Sequence, residues 1–377
     1  MKRITTIILS IYSLVSLFGQ TLPPKEAYAF DVKQIHSGHS LTDPLFGQPW
    51  PGQYVNLLTE IRGQWAGDDI GKSTIPGSPM FWRWENEATN PVSPKARYDI
   101  PDWELMIITE GIPIPNDGGN PTSITAANEY LSLYVNNAWN NGNQGSGAHT
   151  LLWTTWTNID DTDGPWRQTL DTYEAHWEEM QDYANANRPA GSTPVYLIPG
   201  HRMMARIYDD IQLNLVPGIT NINQFFSDNI HTNSLGDYAI AMIHYACIFN
   251  QSPVGLTNDL MPNPPAGFQT PSPALAEYLQ NIIWEVVTAY PRTGITNNVT
   301  GTKSFNKNNN ILVYPNPTSH MINVNHKDSH VNYEKKIMNS IGQIVYRGTE
   351  NQINLNHLSN GIYFLKIKDQ NIKIIKK

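Results

Sequence analysis

Apolar positions along the 377-residue chain fall into three regimes. Residues 7–18 form one apolar run behind Lys2 and Arg3. From residue 30 onward, short runs rich in β-branched and large apolar side chains occur at 30–36, 104–109, 149–155 and 194–198. Between and after them lie stretches whose apolar residues recur at helical spacing, at 54–62, 126–138, 167–186, 203–210, 235–249 and 273–289. The short runs predict strands and the periodic stretches predict helices. Strand followed by helix, repeated, predicts an α/β fold of three layers, α/β/α, with a mostly parallel sheet covered on both faces. Ligands of such folds bind beyond the carboxyl ends of the strands.

The pattern changes after residue 292. Residues 293–310 are mostly Asn, Thr, Gly and Lys, a linker composition. Strand-like runs follow at 311–314, 321–324, 344–346, 353–355 and 362–365, separated by turns at Pro315-Asn316-Pro317, Ile341-Gly342 and Asn360-Gly361. They predict a small C-terminal antiparallel β-sandwich. The expected organisation is therefore a signal peptide at 1–20, a first domain at 21–292, a linker at 293–310 and a second domain at 311–377. The N-terminal run is short for a membrane span and ends in Gly19-Gln20, where a signal peptidase can cut, so no stable membrane insertion is expected. The single cysteine, Cys247, excludes an internal disulfide.

Several segments of the tail, in order, carry a resemblance: Val313-Tyr314-Pro315-Asn316-Pro317-Thr318, Ser340-Ile341-Gly342-Gln343, Leu358-Ser359-Asn360-Gly361-Ile362-Tyr363 and the closing Lys376-Lys377. Together they resemble the C-terminal sorting domain of the type IX secretion system of Bacteroidetes. The resemblance implies passage through the periplasm and across the outer membrane, with the secretion machinery as partner of residues 311–377 and a secreted or cell-surface destination. Charge divides at the same place. The tail from Ile311 has 9 basic and 4 acidic residues, and residues 21–310 have 14 basic and 29 acidic. A first domain near −15 disfavours nucleic acid, whose binding depends on neutralising phosphates with Lys and Arg.

Candidate chemistry lies at the two ends of the α/β region. Ser40 follows the first expected strand, and Asp228 and His231 sit three residues apart far downstream. A serine hydroxyl becomes a competent nucleophile when a histidine takes its proton and a carboxylate orients that histidine. The block Gly38-His39-Ser40-Leu41-Thr42-Asp43 resembles the first block of the SGNH (GDSL-like) hydrolases, with His39 where that family has Asp, and Asp228-x-x-His231 resembles the last. The resemblance implies a flavodoxin-like sheet and a catalytic triad of Ser40, His231 and Asp228. It also implies an oxyanion hole formed by the Ser40 amide, the amide of Gly77 in Pro76-Gly77-Ser78-Pro79, and an asparagine side chain. After the strand ending at Thr109, where that asparagine is expected, the chain reads Glu110-Gly111-Ile112-Pro113, and Asn116 is the nearest substitute. An ionised Glu110 cannot donate to an oxyanion, so it must point away, be protonated or orient another donor. His39, Glu110 and Trp82 are the expected site-lining residues.

No cofactor and no metal are expected. Gly67-Asp68-Asp69-Ile70-Gly71-Lys72-Ser73 lacks the spacing of a phosphate loop, and Asp160, Asp161 and Asp163 lack the ligand positions of a calcium loop. The density of tryptophan near the expected strand ends suits sugar rings, although most of these residues should be core. A carbohydrate ester is thus the expected substrate and removal of acetyl groups the expected reaction. The rivals are an esterase acting on peptidoglycan or lipid, and a non-catalytic glycan-binding protein in which Glu110 marks a lost oxyanion hole.

Overall fold

The computed structural model describes residues 22–46, 70–115, 122–260, 266–296, 311–314, 318–326, 333–339, 343–367 and 370–376. The expected signal peptide, the helix expected at 54–62, Trp50, Trp65 and Asn116 lie outside these residues. The chain divides into two units, Met1–Asn297 and Asn298–Lys377.

The described residues of the first unit form five strands: β1 (Gln34–Gly38), β2 (Ile70–Thr74), β3 (Leu105–Ile108), β4 (His149–Thr154) and β5 (Tyr196–Pro199). All neighbouring pairs are parallel and the order is β2-β1-β3-β4-β5. A period of two is hidden inside the largely apolar strands β3, β4 and β5. Leu105, Ile107, Leu151, Trp153, Tyr196 and Ile198 enter one core, while Met106, Ile108, Leu152 and Leu197 enter the other. A sheet buried on both faces needs apolar residues at every position.

Among the described residues, six helices cover the two faces: α1 (Met80–Asn86), α2 (Ile124–Asn141), α3 (Trp166–Asn187), α4 (Gly200–Gln212), α5 (Ser234–Phe249) and α6 (Pro273–Ala289). Helix α2 shows how the sequence specifies them. Ser123 caps it through the Ala126 amide at 3.3 Å, and Ala127, Leu131, Tyr134, Val135 and Ala138 turn one stripe toward the core. Every residue of α5 is buried, and its sequence is correspondingly apolar on all sides. The second core gathers Met80 of α1 with residues of α2 and α3, while α4, α5 and α6 pack in the first. The result is the expected three-layer α/β/α fold.

Two elements were not legible in the hydrophobic pattern. Strand β2 has the sequence IGKST and sits at the sheet edge, and α1 has only seven residues. Thr293 to Ile295, expected to open the linker, instead close the first unit. Gly294 accepts from the Lys25 amide at 2.7 Å, and Thr293 and Ile295 are buried.

The second unit contains seven described strands, β6 (Ile311–Tyr314), β7 (Met321–His326), β8 (Lys335–Asn339), β9 (Ile344–Gly348), β10 (Gln352–Asn354), β11 (Gly361–Ile367) and β12 (Gln370–Lys376). They form two antiparallel sheets, β10-β7-β6 and β12-β11-β8-β9. Ile322, Val324 and Ile353 from one sheet meet Ile337, Leu365, Ile367 and Ile374 from the other, the core of a small sandwich. The alternation of β11, with Tyr363, Leu365 and Ile367 inward, was legible, whereas β8 and β12, rich in Lys and Asn, were not.

Candidate active site

Strand β1 pairs with β2 on one side and β3 on the other, so the chain reverses its direction of sheet growth at the carboxyl end of β1. Open α/β sheets form their crevice at such a point. Ser40 stands two residues beyond β1, in a turn where the Thr42 amide donates to the His39 carbonyl at 2.8 Å and the Asp43 amide to the Ser40 carbonyl at 3.3 Å. The turn is tied to β2 by Asp43, which accepts from the Thr74 hydroxyl at 2.5 Å and pairs with Lys72 at 2.9 Å. From the other side, the buried indole of Trp153 donates to the Leu41 carbonyl at 3.3 Å.

The Ser40 hydroxyl has a histidine partner. It lies 2.8 Å from His231 Nε2, and His231 Nδ1 lies 2.7 Å from Asp228 Oδ2. The other carboxylate oxygen, Oδ1, accepts from the amides of Ile230 at 2.9 Å and His231 at 2.7 Å. This second bond explains the i, i+3 spacing. A carboxylate that caps its own turn presents its free oxygen to the histidine three residues on. Burial opposes ionisation of Asp228, but these amides and the His231 ring hold its pKa below the ordinary carboxylate value. With Asp228 ionised, Nδ1 carries the proton and donates to Asp228, leaving Nε2 free to accept from Ser40.

The loop bearing His231 is held on every side. Phe226 and Thr232 bridge its base, and the Ser227 amide and hydroxyl donate to the His231 carbonyl at 2.8 and 3.1 Å. The Trp156 indole donates to the Ile230 carbonyl at 3.0 Å, and Asn229 donates to Asp160 at 2.5 Å. Asp161 accepts from the Trp166 amide at the start of α3 at 2.7 Å. Two members of the acidic group thus anchor a loop and a helix end. Beyond the loop, Thr232 donates to the buried Asp237 of α5 at 2.5 Å.

Gly77 lies in the turn after β2, the strand beside β1. Its φ of +69° is the left-handed conformation that glycine adopts without strain. The Ile75 amide joins this turn to the end of β1 through the Gly38 carbonyl at 3.0 Å. Neither the Ser40 nor the Gly77 amide donates to a protein acceptor among the described residues.

Glu110 is buried and points away from a donor role: its Oε1 accepts from the amides of Met80 at 2.8 Å and Gly111 at 2.5 Å. Burial raises its pKa to about 7, against the pull of Arg83 and those amides. His39 is buried with Nε2 facing the Glu110 carbonyl at 2.9 Å and Nδ1 accepting from the Leu41 amide at 3.4 Å. Burial, reinforced by the nearby Arg83 cation, lowers His39 to about 4, so its ring is neutral at neutral pH. Trp82 stands half-buried on α1.

The structure therefore brings Ser40, His231 and Asp228 into one hydrogen-bonded line, and sets Gly77 at the end of the strand next to β1. The supports that the sequence did not reveal are Trp153, Trp156, Asp160 and Arg83. The two tryptophans sit within and just after β4, and their burial in the core is what a strand running between two helical layers requires.

Residues 312–377 match the family described as the secretion system C-terminal sorting domain. The tail is a sorting domain. It directs the chain to the cell surface or the medium, and among the described residues no helix is long and apolar enough to cross a membrane. No curated protein matches the chain. Among solved structures, it is similar to a gut microbial diltiazem-metabolizing enzyme at 14% identity and a TM-score of 0.36, covering 61% of this chain but only 49% of that one, so it spans about half of that enzyme. It is also similar to a protein of Parabacteroides merdae ATCC 43184 described as a GDSL-like lipase, at 13% identity and a TM-score of 0.39, covering 60% of this chain and 99% of that one. An acetyl xylan esterase matches at 14% identity and a TM-score of 0.35, covering 57% of this chain and 99% of that one.

Proposed function

We propose that the exported chain is a serine esterase of the SGNH type that removes acetyl groups from an extracellular polysaccharide. The observation that carries this reading is the unbroken line from Ser40 Oγ to His231 Nε2 at 2.8 Å and from His231 Nδ1 to Asp228 at 2.7 Å. Ser40 attacks the ester carbonyl as its proton passes to His231. The amides of Ser40 and Gly77 receive the negative charge of the tetrahedral intermediate, with Asn116 as the candidate third donor. His231 then gives that proton to the sugar oxygen as its bond to the acetyl carbon breaks, leaving acetyl-serine; water, deprotonated by His231, attacks it, and the proton returns to Ser40 as acetate leaves.

The exposure of the acid–base pair favours a polymeric substrate. The side chains of His231 and Asp228 are 41% and 55% exposed, an open arrangement that admits an ester on a long chain and offers a fatty acyl tail little apolar enclosure. Glu110 Oε1 is engaged by two backbone amides, which favours the catalytic reading over a non-catalytic glycan binder.

Ser40→Ala should lower kcat on p-nitrophenyl acetate by about 10⁴–10⁶ while leaving the fold intact. A Ser40→Ala protein that retains the parent rate overturns the assignment. Relative rates on acetylated xylan, acetylated peptidoglycan and long-chain esters test the substrate class, and a preference for either of the last two refutes the polysaccharide reading.

A further inference from the structure

Three loops meet at the carboxyl ends of β2, β1 and β3, and one buried cluster fastens them to each other. Arg83, fully buried on α1, donates through Nη1 to the Ser78 carbonyl and through Nη2 to the Thr109 carbonyl. Glu110 accepts from the Met80 amide, which begins α1, and from the Gly111 amide. His39, the residue before Ser40, reaches the Glu110 carbonyl at 2.9 Å. Each loop is thereby held by a bond to another.

The turn bearing Gly77 cannot fix its own direction. Inside the turn, only Ser78 reaches back, its amide and hydroxyl donating to the Ile75 carbonyl at 3.1 and 2.7 Å. At its near end the Ile75 amide holds it to the Gly38 carbonyl at 3.0 Å; past Gly77 it is restrained from outside, by Arg83 on the Ser78 carbonyl and Glu110 on the Met80 amide. A buried carboxylate near an oxyanion would also repel it unless its charge were balanced. Burial raises the Glu110 pKa, with Arg83 pulling against it, and the two amides occupy Glu110 Oε1.

Resting on the reading of Ser40 as nucleophile, we infer that Glu110 and Arg83 are positioning residues for the oxyanion site. They hold the Gly77 turn and, through His39, the Ser40 turn so that both amides converge. Neither residue touches the substrate. The place where the resemblance implies a donor asparagine is thus occupied by an anchor for backbone donors.

The test compares Glu110→Ala, Glu110→Gln and Arg83→Lys with the parent in the full chain. The measurements are kcat and KM on p-nitrophenyl acetate, the rate of Ser40 labelling by a fluorophosphonate, and thermal unfolding. Removing one oxyanion donor costs about 10²–10³ in kcat, so misaligning one should cost about 10–10². Glu110→Ala should show that loss with KM within about threefold of the parent, because ground-state binding is untouched. Glu110→Gln, which still offers an oxygen to both amides, should recover most of kcat. Arg83→Lys should lose kcat like Glu110→Ala, since one ammonium cannot bridge two carbonyls in the manner of a guanidinium. It decides the matter if Glu110→Ala does not fold.

A purely structural role would lower the unfolding temperature and leave kcat per folded molecule unchanged, overturning the inference. A glutamine variant as slow as the alanine variant would overturn it equally, because the acceptor would then be irrelevant. A parent that neither hydrolyses the ester nor labels at Ser40 refutes the esterase reading, and this inference with it. A parent that does both, beside variants with unchanged kcat, refutes this inference alone.

Discussion

Asp228→Asn tests the acid–base line at its outer end. Asparagine keeps an oxygen for the amides of Ile230 and His231, now 2.9 and 2.7 Å from Asp228 Oδ1, so the turn retains its own bonds. Trp156, Ser227 and Asn229 continue to hold the loop from outside. What changes is the group opposite His231 Nδ1, where an acceptor becomes an amide donor. The favourable response of the ring is to move its proton to Nε2, the atom that must receive the proton of Ser40. In a buried triad this exchange costs about 10⁴ in kcat. Here Asp228 is 55% exposed, so water can compete for the carboxamide and return part of the population to the useful tautomer. The expected loss is therefore about 10²–10⁴ in kcat, or about 3–5 kcal/mol in the barrier. It should be smaller than for Ser40→Ala. KM should move little and the unfolding temperature should stay within about 2 °C, because no packing is lost. The assay is steady-state hydrolysis of p-nitrophenyl acetate with Ser40→Ala as background. An Asp228→Asn enzyme within threefold of the parent refutes the reasoning, since His231 would then be oriented by something else.

Two further outcomes follow from buried groups around the same loops. Burial raises Asp237 to about 8, with the Thr232 hydroxyl opposing, whereas the unfolded chain releases that proton near 3.8; the folded state thus holds an extra proton between these values, and its contribution to stability falls from about pH 4 to about pH 8. Asp237→Asn removes that decline, so the urea midpoint of the variant relative to the parent should rise from pH 5 to pH 8, and parallel shifts at both pH values would contradict it. Gly38→Ala introduces a Cβ 2.1 Å from Thr42 Oγ1 and 3.2 Å from Thr109 Cγ2, inside the buried corner that carries Ser40. It should cost about 1–3 kcal/mol by overpacking and lower kcat together with the urea midpoint, and a variant with parental values of both would show that the corner relaxes freely.

The elements legible in the sequence are those whose burial is symmetric. Strands β3, β4 and β5 are largely apolar because both faces are covered, and α5 is largely apolar on all sides because it lies within the core. Strand β2 was hidden for the opposite reason. It holds an edge, its Lys72 reaches out to Asp43, and Gly71 is required because a Cβ there would come within 2.6 Å of the Trp103 ring. Only pairing with β1 makes IGKST a strand, and pairing over that sequence distance leaves no local pattern. The candidate triad was legible because its demands are local on each side. A serine must follow a strand, and an aspartate capping its own turn leaves a carboxylate oxygen for a histidine three residues on.

Residue type proved a poor guide where burial decides the role. The tryptophans in and after β4 suit a sugar ring equally well by composition, yet Trp153 and Trp156 are buried and each spends its indole N–H on a carbonyl beside Ser40 or His231. Glu110 illustrates the converse. Compared with an asparagine, a carboxylate at that position looks like the loss of an oxyanion donor, an inference valid only if the side chain faces the reacting oxygen. Oriented toward the Met80 and Gly111 amides with Arg83 nearby, the same carboxylate fixes a neighbouring turn. The positioning role inferred for Glu110 and Arg83 predicts that changes at either lower kcat more than changes at Asn116.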